Sequence, residues 1–306
     1  METIREHIEK LMNQRELTSA YQQMIAQALQ DEEVHRFLIA NEEELAPDAI
    51  ERGAAKIYEF VSERNKRKKG EQPFAPDYQP TLIVSNHLID VAYEPTRGKV
   101  QADEGRAKAA LVTTMNMPKA IANARLEDYD ATDRVVALNE ATNFVVAQTT
   151  DPTTFHQGLY LTGPFGVGKT YLIGAIANYL ADQNQASTLL HFPTFAVEMK
   201  AAISDQKVVP TINRIKRAPI LMLDDIGAES FSPWIRDEVL GIILQYRMQE
   251  ELPTLFTSNK TMAELTEFLA GNDRGDDELP KAQRIMQRIQ YLSREVTVGG
   301  INRRLS

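Results

Sequence analysis

The 306-residue chain contains no cysteine. That excludes disulfides and cysteine-ligated zinc. The five histidines, His7, His35, His87, His156 and His191, lie too far apart in sequence for the spacing of a histidine metal site. Aromatic residues make up only 7% of the chain, with one tryptophan, so little is available for stacking on bases. Long apolar runs are also missing. No stretch approaches the roughly 18 apolar residues of a membrane span, and Met1 is followed by Glu2, Arg5 and Glu6 rather than by an apolar signal core. A cytoplasmic protein with no membrane partner is expected. Positive charge is not in excess: 34 basic against 43 acidic residues leave a net charge of −9. A protein whose whole surface grips nucleic acid is thereby disfavoured, although a local basic strip remains compatible. What is present, 43% hydrophobic and 25% charged residues, suits a globular chain long enough for two domains.

One motif stands out from this ordinary background. Gly163, Pro164, Phe165, Gly166, Val167, Gly168, Lys169 and Thr170 fit the phosphate-loop pattern GxxxxGK[ST], with Tyr171 next in line. The motif sits where its chemistry needs it. Residues 158–162 read as a short apolar strand, and Leu172, Ile173, Ile176, Ala177 and Leu180 recur at helical spacing beyond the loop. Glycines let backbone N–H groups close round phosphates while the helix N-terminus contributes partial positive charge. Lys169 would reach the β and γ phosphates of a nucleoside triphosphate, and the Thr170 hydroxyl would ligate Mg²⁺.

Further motifs follow at strand ends. Residues 220–223 form an apolar strand that ends in Asp224 and Asp225, the arrangement of a Walker B motif. Asp224 would hold Mg²⁺ and Asp225 would orient or deprotonate the attacking water. Residues 255–258 form another strand, closed by Asn259, which would face the same crevice and sense the γ phosphate, because ligands of open α/β sheets lie at the carboxyl ends of strands. The chain between Asp133 and residue 257 alternates helical and strand patterns: a helix through Val136, Phe144 and Val145, strands at 188–192, 219–223 and 254–257, and helices at 195–203 and 233–247. A parallel sheet with helices on both faces is expected.

The first half reads differently. Residues 1–65 carry three or four short amphipathic helices with 14 acidic and 7 basic side chains, a surface better matched to a protein partner than to DNA. The basic run at 65–69 with Gly70 and Pro73 reads as an exposed loop. Strands are expected at 81–84 and 89–93 around a turn at 85–87, then a poorly periodic stretch at 95–108. The division expected is a small, mainly helical domain at 1–110, a connector at 111–132 and an ATPase domain at 133–306. Between residues 199 and 218, Lys200, Lys207, Arg214, Lys216 and Arg217 face one acid, Asp205, a strip able to track the phosphates of a single strand weakly and without sequence preference.

Taken together, the Gly-Pro-x-Gly-x-Gly-Lys-Thr loop, the run Asp224-Asp225-Ile226-Gly227-Ala228-Glu229 and Thr257-Ser258-Asn259 resemble the AAA+ ATPases of the bacterial replicative-helicase loaders, the DnaC/DnaI type, and most of all DnaI primosomal proteins. The resemblance covers residues 158–306 well and 80–118 more loosely. It implies an AAA+ P-loop ATPase that binds ATP, Mg²⁺ and single-stranded DNA, self-associates through the ATPase domain and works with other primosome proteins. It also implies an N-terminal domain that grips the hexameric replicative helicase and helps place its ring on DNA. Carried over by position, Arg284 resembles the arginine finger that reaches a neighbouring subunit's ATP, with Arg288 the second basic residue of that element. Arg304, or Arg303, resembles the sensor 2 arginine. Ile285, Ile289 and Leu292 form an apolar face that leaves Arg284 and Arg288 together on another side.

Two departures accompany the resemblance. DnaI-type N-terminal domains are associated with zinc, which a chain without cysteine is not expected to hold there. Many AAA+ members carry Glu where Asp225 stands, and the shorter side chain suits slow hydrolysis and a switch rather than a motor. The alternatives are a transposition helper ATPase of the IstB type and an adaptor that binds ATP with negligible turnover. An initiator of the DnaA type is disfavoured, since Ser306 is expected to leave no room for a C-terminal helix-turn-helix domain.

Overall fold

The computed structural model describes residues 19–228, 232–271 and 278–303. The chain divides into two compact units, Met1–Gly105 and Arg106–Ser306.

In the first unit, helices α1 (Ser19–Leu29), α2 (Glu32–Ala40) and α3 (Ala49–Lys68) pack with an antiparallel hairpin of β1 (Tyr78–Ser85) and β2 (Leu88–Pro95). Leu29, Val34, Leu38, Ile57, Phe60, Leu82 and Ile89 form its core. Asn86 and His87 both have positive φ, 51° and 62°, which is the backbone of a tight two-residue hairpin turn. Asp31 caps α2 by accepting the Glu33 N–H at 3.0 Å, and it also accepts from Arg64 of α3 at 2.7 Å. That arginine holds the Asp31 carboxyl down at about 2.

The basic run at 65–69 is not a loop. Lys66, Arg67 and Lys68 form the last turn of α3, where positive side chains favour the negative end of the helix dipole. Arg67 donates to the carbonyl oxygens of Ala75 and Pro76, each at 2.6 Å, and to that of Tyr78, while Glu63 accepts the Phe74 N–H at 2.6 Å. Segment 74–78 is thus tied to the helix by hydrogen bonds. The stretch at 95–108 is likewise helical, as α4 (Arg97–Ala110). None of its residues is buried, so it shows no apolar period, and its Lys, Gln, Ala and Arg residues supply helix propensity alone.

The second unit is a six-stranded parallel sheet in the order β3-β5-β6-β7-β4-β8. Its elements in chain order are β3 (Val112–Met115), a 3₁₀ turn (Lys119–Asn123), α5 (Val135–Thr150), β4 (Gly158–Thr162), α6 (Lys169–Asp182), β5 (Ser187–His191), α7 (Phe192–Ala201), α8 (Val208–Lys216), β6 (Ile220–Asp224), a π-helical turn (Ile235–Leu240) that runs into α9 (Gly241–Gln249), β7 (Thr254–Ser258), α10 (Met262–Ala270), α11 (Leu279–Leu292) and β8 (Ser293–Thr297). Two differences from the sequence expectation bear on the site. Segment 111–132 is no connector: β3 joins the sheet beside β5, and the 3₁₀ turn packs on α6 through Ile121. The helix expected at 233–247 is π-helical in its first half.

Continuous apolar strands are what a sheet covered on both faces requires. Successive residues of β6 go to opposite cores: Leu221 and Leu223 join Tyr160, Phe192 and Phe256 under α7 to α11, whereas Ile220 and Met222 join Leu159, Leu161 and Leu189 under α5 and α6. At the amino ends of β6 and β7 lies Arg247, fully buried. It donates to Thr254 Oγ1 at 2.8 Å and to the carbonyls of Lys216, Ala218 and Pro253 at 3.1, 2.6 and 2.7 Å. Burial pulls its pKa down to about 9, which still leaves a cation at neutral pH.

Candidate nucleotide-binding site

At the opposite, carboxyl end of the sheet, β4 passes through the glycine loop into α6. Gly163, Gly166 and Gly168 have φ of 152°, 80° and 95°. None of the three positions has room for a side chain unless a neighbour shifts, Asn302 in the case of Gly166. A Cβ at Gly163 would lie 2.2 Å from the Val298 carbonyl oxygen, and one at Gly168 would lie 2.6 Å from the Arg134 guanidinium. Lys169 is 7% exposed and donates to the carbonyls of Gly163 and Pro164 at 2.7 and 2.8 Å. Its ammonium therefore lies folded onto the loop that a triphosphate would fill. Phe165 is exposed at the loop's crest, and Tyr171 stacks on Tyr129 with ring centroids 6.0 Å apart.

Asp224 ends β6 next to this loop. Thr170 donates to its two oxygens at 2.9 and 3.1 Å, and Thr257, at the end of β7, donates at 2.6 Å. Burial pushes the Asp224 carboxyl above its ordinary value; the Thr257 and Thr170 hydroxyls pull it back and the charge of Asp225 adds to the push. A buried carboxylate held only by hydroxyl groups wants a cation. Together with Thr170 it forms the hard oxygen donor set that Mg²⁺ takes alongside phosphate and water. The residues present therefore fit both ATP and the metal.

Asp225 stands one step further out, 30% exposed, in a left-handed conformation with φ 62°. Its N–H is held by Thr257 Oγ1 at 2.9 Å. Aspartate is among the non-glycine residues that enter this region most readily, and the left-handed residue ends the extended run of β6. His191, at the tip of β5, lies 3.9 Å from the Asp225 carboxylate, with its Nδ1 2.8 Å from Thr194 Oγ1. Asn259 follows β7, and its Oδ1 is buried without a hydrogen-bond partner among the described residues.

Sequence reasoning missed the back wall of the loop. Arg134, 3% exposed, donates to the Val167 carbonyl at 2.5 Å and lies 4.4 Å above the Tyr129 ring. It braces the loop from behind. A Cys-free, glycine-poor stretch offered no motif to find it by. The sensor 2 candidates divide: Arg304 lies outside the described residues, whereas the Arg303 N–H donates to the Gly166 carbonyl at 3.1 Å and its guanidinium pairs with Asp130. Glu229 also lies outside the described residues.

Arg284 is exposed on α11 and makes no hydrogen bond or ion pair among the described residues. Arg288 is half-buried and donates to the Gly241 carbonyl at 2.9 Å. The basic strip is not one row. Lys200 ends α7 and Lys207 begins α8, paired with Asp205 at 3.3 Å. Arg214 reaches towards Met115 at 3.6 Å, and Arg217 is exposed. Lys216 lies about 200° round α8 from Arg214 and packs 4.7 Å from the Tyr246 ring. Four of the five cations, Lys200, Lys207, Arg214 and Arg217, are exposed.

Comparison with known proteins places these features in context. Residues 1–93 match the family model described as primosomal protein DnaI N-terminus, and residues 96–306 match that of IstB-like ATP binding proteins. The replicative helicase loader DnaI of Bacillus subtilis (strain 168) is 34% identical over 311 aligned residues, covering 99% of either chain. A crystal structure of DnaI superposes with a TM-score of 0.57 at 43% identity, over 64% of this chain and 98% of that one. That of the DnaC helicase loader, 22% identical over 60% of this chain and all of the other, shares the fold with a TM-score of 0.50. Among the described residues no helix is long and apolar enough to cross a membrane, and no cluster of three or more His, Asp or Glu residues could hold a metal.

Proposed function

Because the chain belongs to the DnaI family of replicative helicase loaders, whose ATPase half is an AAA+ ATP-binding unit, we propose that it loads the hexameric replicative helicase onto single-stranded DNA during primosome assembly, under control of ATP. The observation that carries the nucleotide part is the meeting of Lys169, Thr170 and Asp224 in one cradle, with the Thr170 hydroxyl 2.9 Å from the carboxylate. ATP enters with Lys169 moving from the loop carbonyls to the β and γ phosphates, and the glycine-loop N–H groups take the remaining oxygens. Thr170 and Asp224 would hold Mg²⁺, which would offset charge on the phosphoryl group. Asp225 orients the attacking water, Asn259 donates to the γ phosphate, and Arg284 of one subunit completes the site of the next. Turnover is slow, since Asp225 reaches less far than a glutamate would, and it resets the assembly.

Residues 1–105 recruit the helicase ring, supported by the acidic surface of that unit and by its match to the DnaI N-terminal model. Lys200, Lys207, Arg214 and Arg217 make salt-sensitive contact with the single strand. The test is size-exclusion chromatography of the chain with the replicative helicase of its own cell, with and without ATP, followed by unwinding of a forked DNA coated with single-strand binding protein. Co-elution and loader-dependent unwinding are expected, and deletion of residues 1–105 should abolish co-elution while sparing nucleotide binding. No association in any nucleotide state would sink the reading. A transposition role is favoured by the IstB-like match of the ATPase half alone; recovery of a transposase and no helicase from the source cell would support it.

A further inference from the structure

Helix α11 is held by more than its apolar face. Its first turn is gripped by a buried cation in the π-helical turn. Arg236 is 2% exposed; it donates to Asp237 from Nε and Nη2 at 2.7 and 2.8 Å and to the Leu269 carbonyl at the end of α10 at 3.0 Å, and it forms an ion pair with the Glu278 carboxylate at 2.6 Å. Glu278 is the residue from which α11 starts. Lys281, one turn on, closes the cluster at 3.0 Å from Glu278 and 3.7 Å from Asp237. At the other end of the π-helical turn, the Gly241 N–H bonds the Arg236 carbonyl five residues back, and the Gly241 carbonyl receives Arg288 of α11 at 2.9 Å. Such a turn is rare and adds a residue to the helix, which lets both contacts reach α11 from one short segment.

Between these two grips stands Arg284, exposed and without a partner among the described residues. A side chain meant to enter a neighbour's site needs its helix fixed in pitch and height, because misplacement by about 1 Å costs on the order of 100-fold in rate. A guanidinium buried with two carboxylates and a carbonyl supplies that fixation: directional bonds hold it to Asp237 and Leu269, and a close ion pair, which apolar packing lacks, joins it to the start of α11. We propose that Arg236 is a positioning residue for the arginine that α11 presents to the next subunit, with Glu278 as its grip on the helix. The proposal rests on the reading that Arg284 acts in trans.

Mixed-subunit hydrolysis tests it. An acceptor chain carrying Arg284→Ala keeps its own ATP site, and a donor carrying Lys169→Ala keeps Arg284. Their equimolar mixture should hydrolyse ATP about 100-fold faster than either alone, in the range of arginine fingers. Adding Glu278→Gln to the donor leaves Arg236 bound to Asp237 and Leu269, so the donor folds, as its melting curve will report. The restored rate should nonetheless fall about tenfold. Arg236→Gln in the donor should remove restoration altogether, and Arg236→Lys should recover part of it. Full restoration by the Glu278→Gln donor would overturn the proposal. If the mixture with Arg236 and Glu278 intact shows no gain over its parts, the trans arginine itself is refuted and the positioning role falls with it.

Discussion

The parallel sheet carries a buried charge at each end, and the two are treated in opposite ways. Arg247, beneath the amino ends of β6 and β7, has its guanidinium surrounded by carbonyls and one hydroxyl, with no carboxylate partner among the described residues. Asp224, at the carboxyl tip of β6, is surrounded by hydroxyls, one of which belongs to the residue that follows the P-loop lysine. Burial shifts both groups toward their neutral forms, Arg247 down to about 9 and Asp224 upward. Yet only Arg247 has its hydrogen-bonding capacity filled by fixed backbone groups. Its cluster is complete without a ligand and ties loops together, whereas that of Asp224 holds only hydroxyl groups among the described residues and would accept the cation proposed above. One end of the same strands is built for cohesion and the other for binding.

The sharpest way to break this contrast is at the binding end. Lys169→Ala should weaken ATP binding by about 100-fold or more, since charge-assisted contacts to phosphate are lost, while the melting temperature changes little; unchanged affinity in a fluorescent-nucleotide titration would misplace the site. At the cohesive end, Arg247→Met should cost about 3–5 kcal/mol, because several buried carbonyls lose their donor at once. Calorimetry should then show a melting point roughly 10 °C lower, with nucleotide affinity of the folded protein intact. Asp225→Asn should retain binding and slow turnover about 100-fold, measured as phosphate release with helicase and single strands present; full activity would move the role elsewhere, Glu229 being the nearest acid in sequence.

The smallest effect concerns Asp224 without ligand. Its folded pKa is raised, so the contribution to stability is complete below the ordinary value of 3.8 and is lost as pH rises through the folded value. Asp224→Asn should accordingly raise the melting point of the nucleotide-free protein by about 2–4 °C at pH 7 and flatten its decline above pH 4. The same change should remove the Mg²⁺ dependence of ATP binding. A lowered melting point would show that the carboxylate is as well satisfied as Arg247.

How much of this was legible depended on whether the information was local. The glycine loop, Asp224, Asp225 and Asn259 could be proposed from sequence because each is announced by a short pattern at the end of an apolar run, and the sheet brings their carriers β4, β6 and β7 side by side. Strand β8 was missed: Ser293, Arg294 and Glu295 give no apolar run, and pairing with β4 supplies what propensity does not. Helix α4 was missed because nothing in it is buried. The basic run at 65–69 was read as a loop because composition alone does not reveal three carbonyls converging on Arg67. His191 and Arg134 were overlooked for a related reason. Their roles lie wholly in what they approach across the fold.

The chain's own order of residues determined the nucleotide loop, the acidic strand tip and the alternation of strands and helices, since glycine dihedrals, helix dipoles and apolar periods act over a few neighbouring positions. Three-dimensional packing decided which buried charge is held by fixed carbonyls and which by hydroxyls, how the π-helical turn meets α11, and which of the five basic residues are exposed. Those outcomes depend on distances between segments tens to more than a hundred residues apart, and no local pattern encodes a distance of that kind.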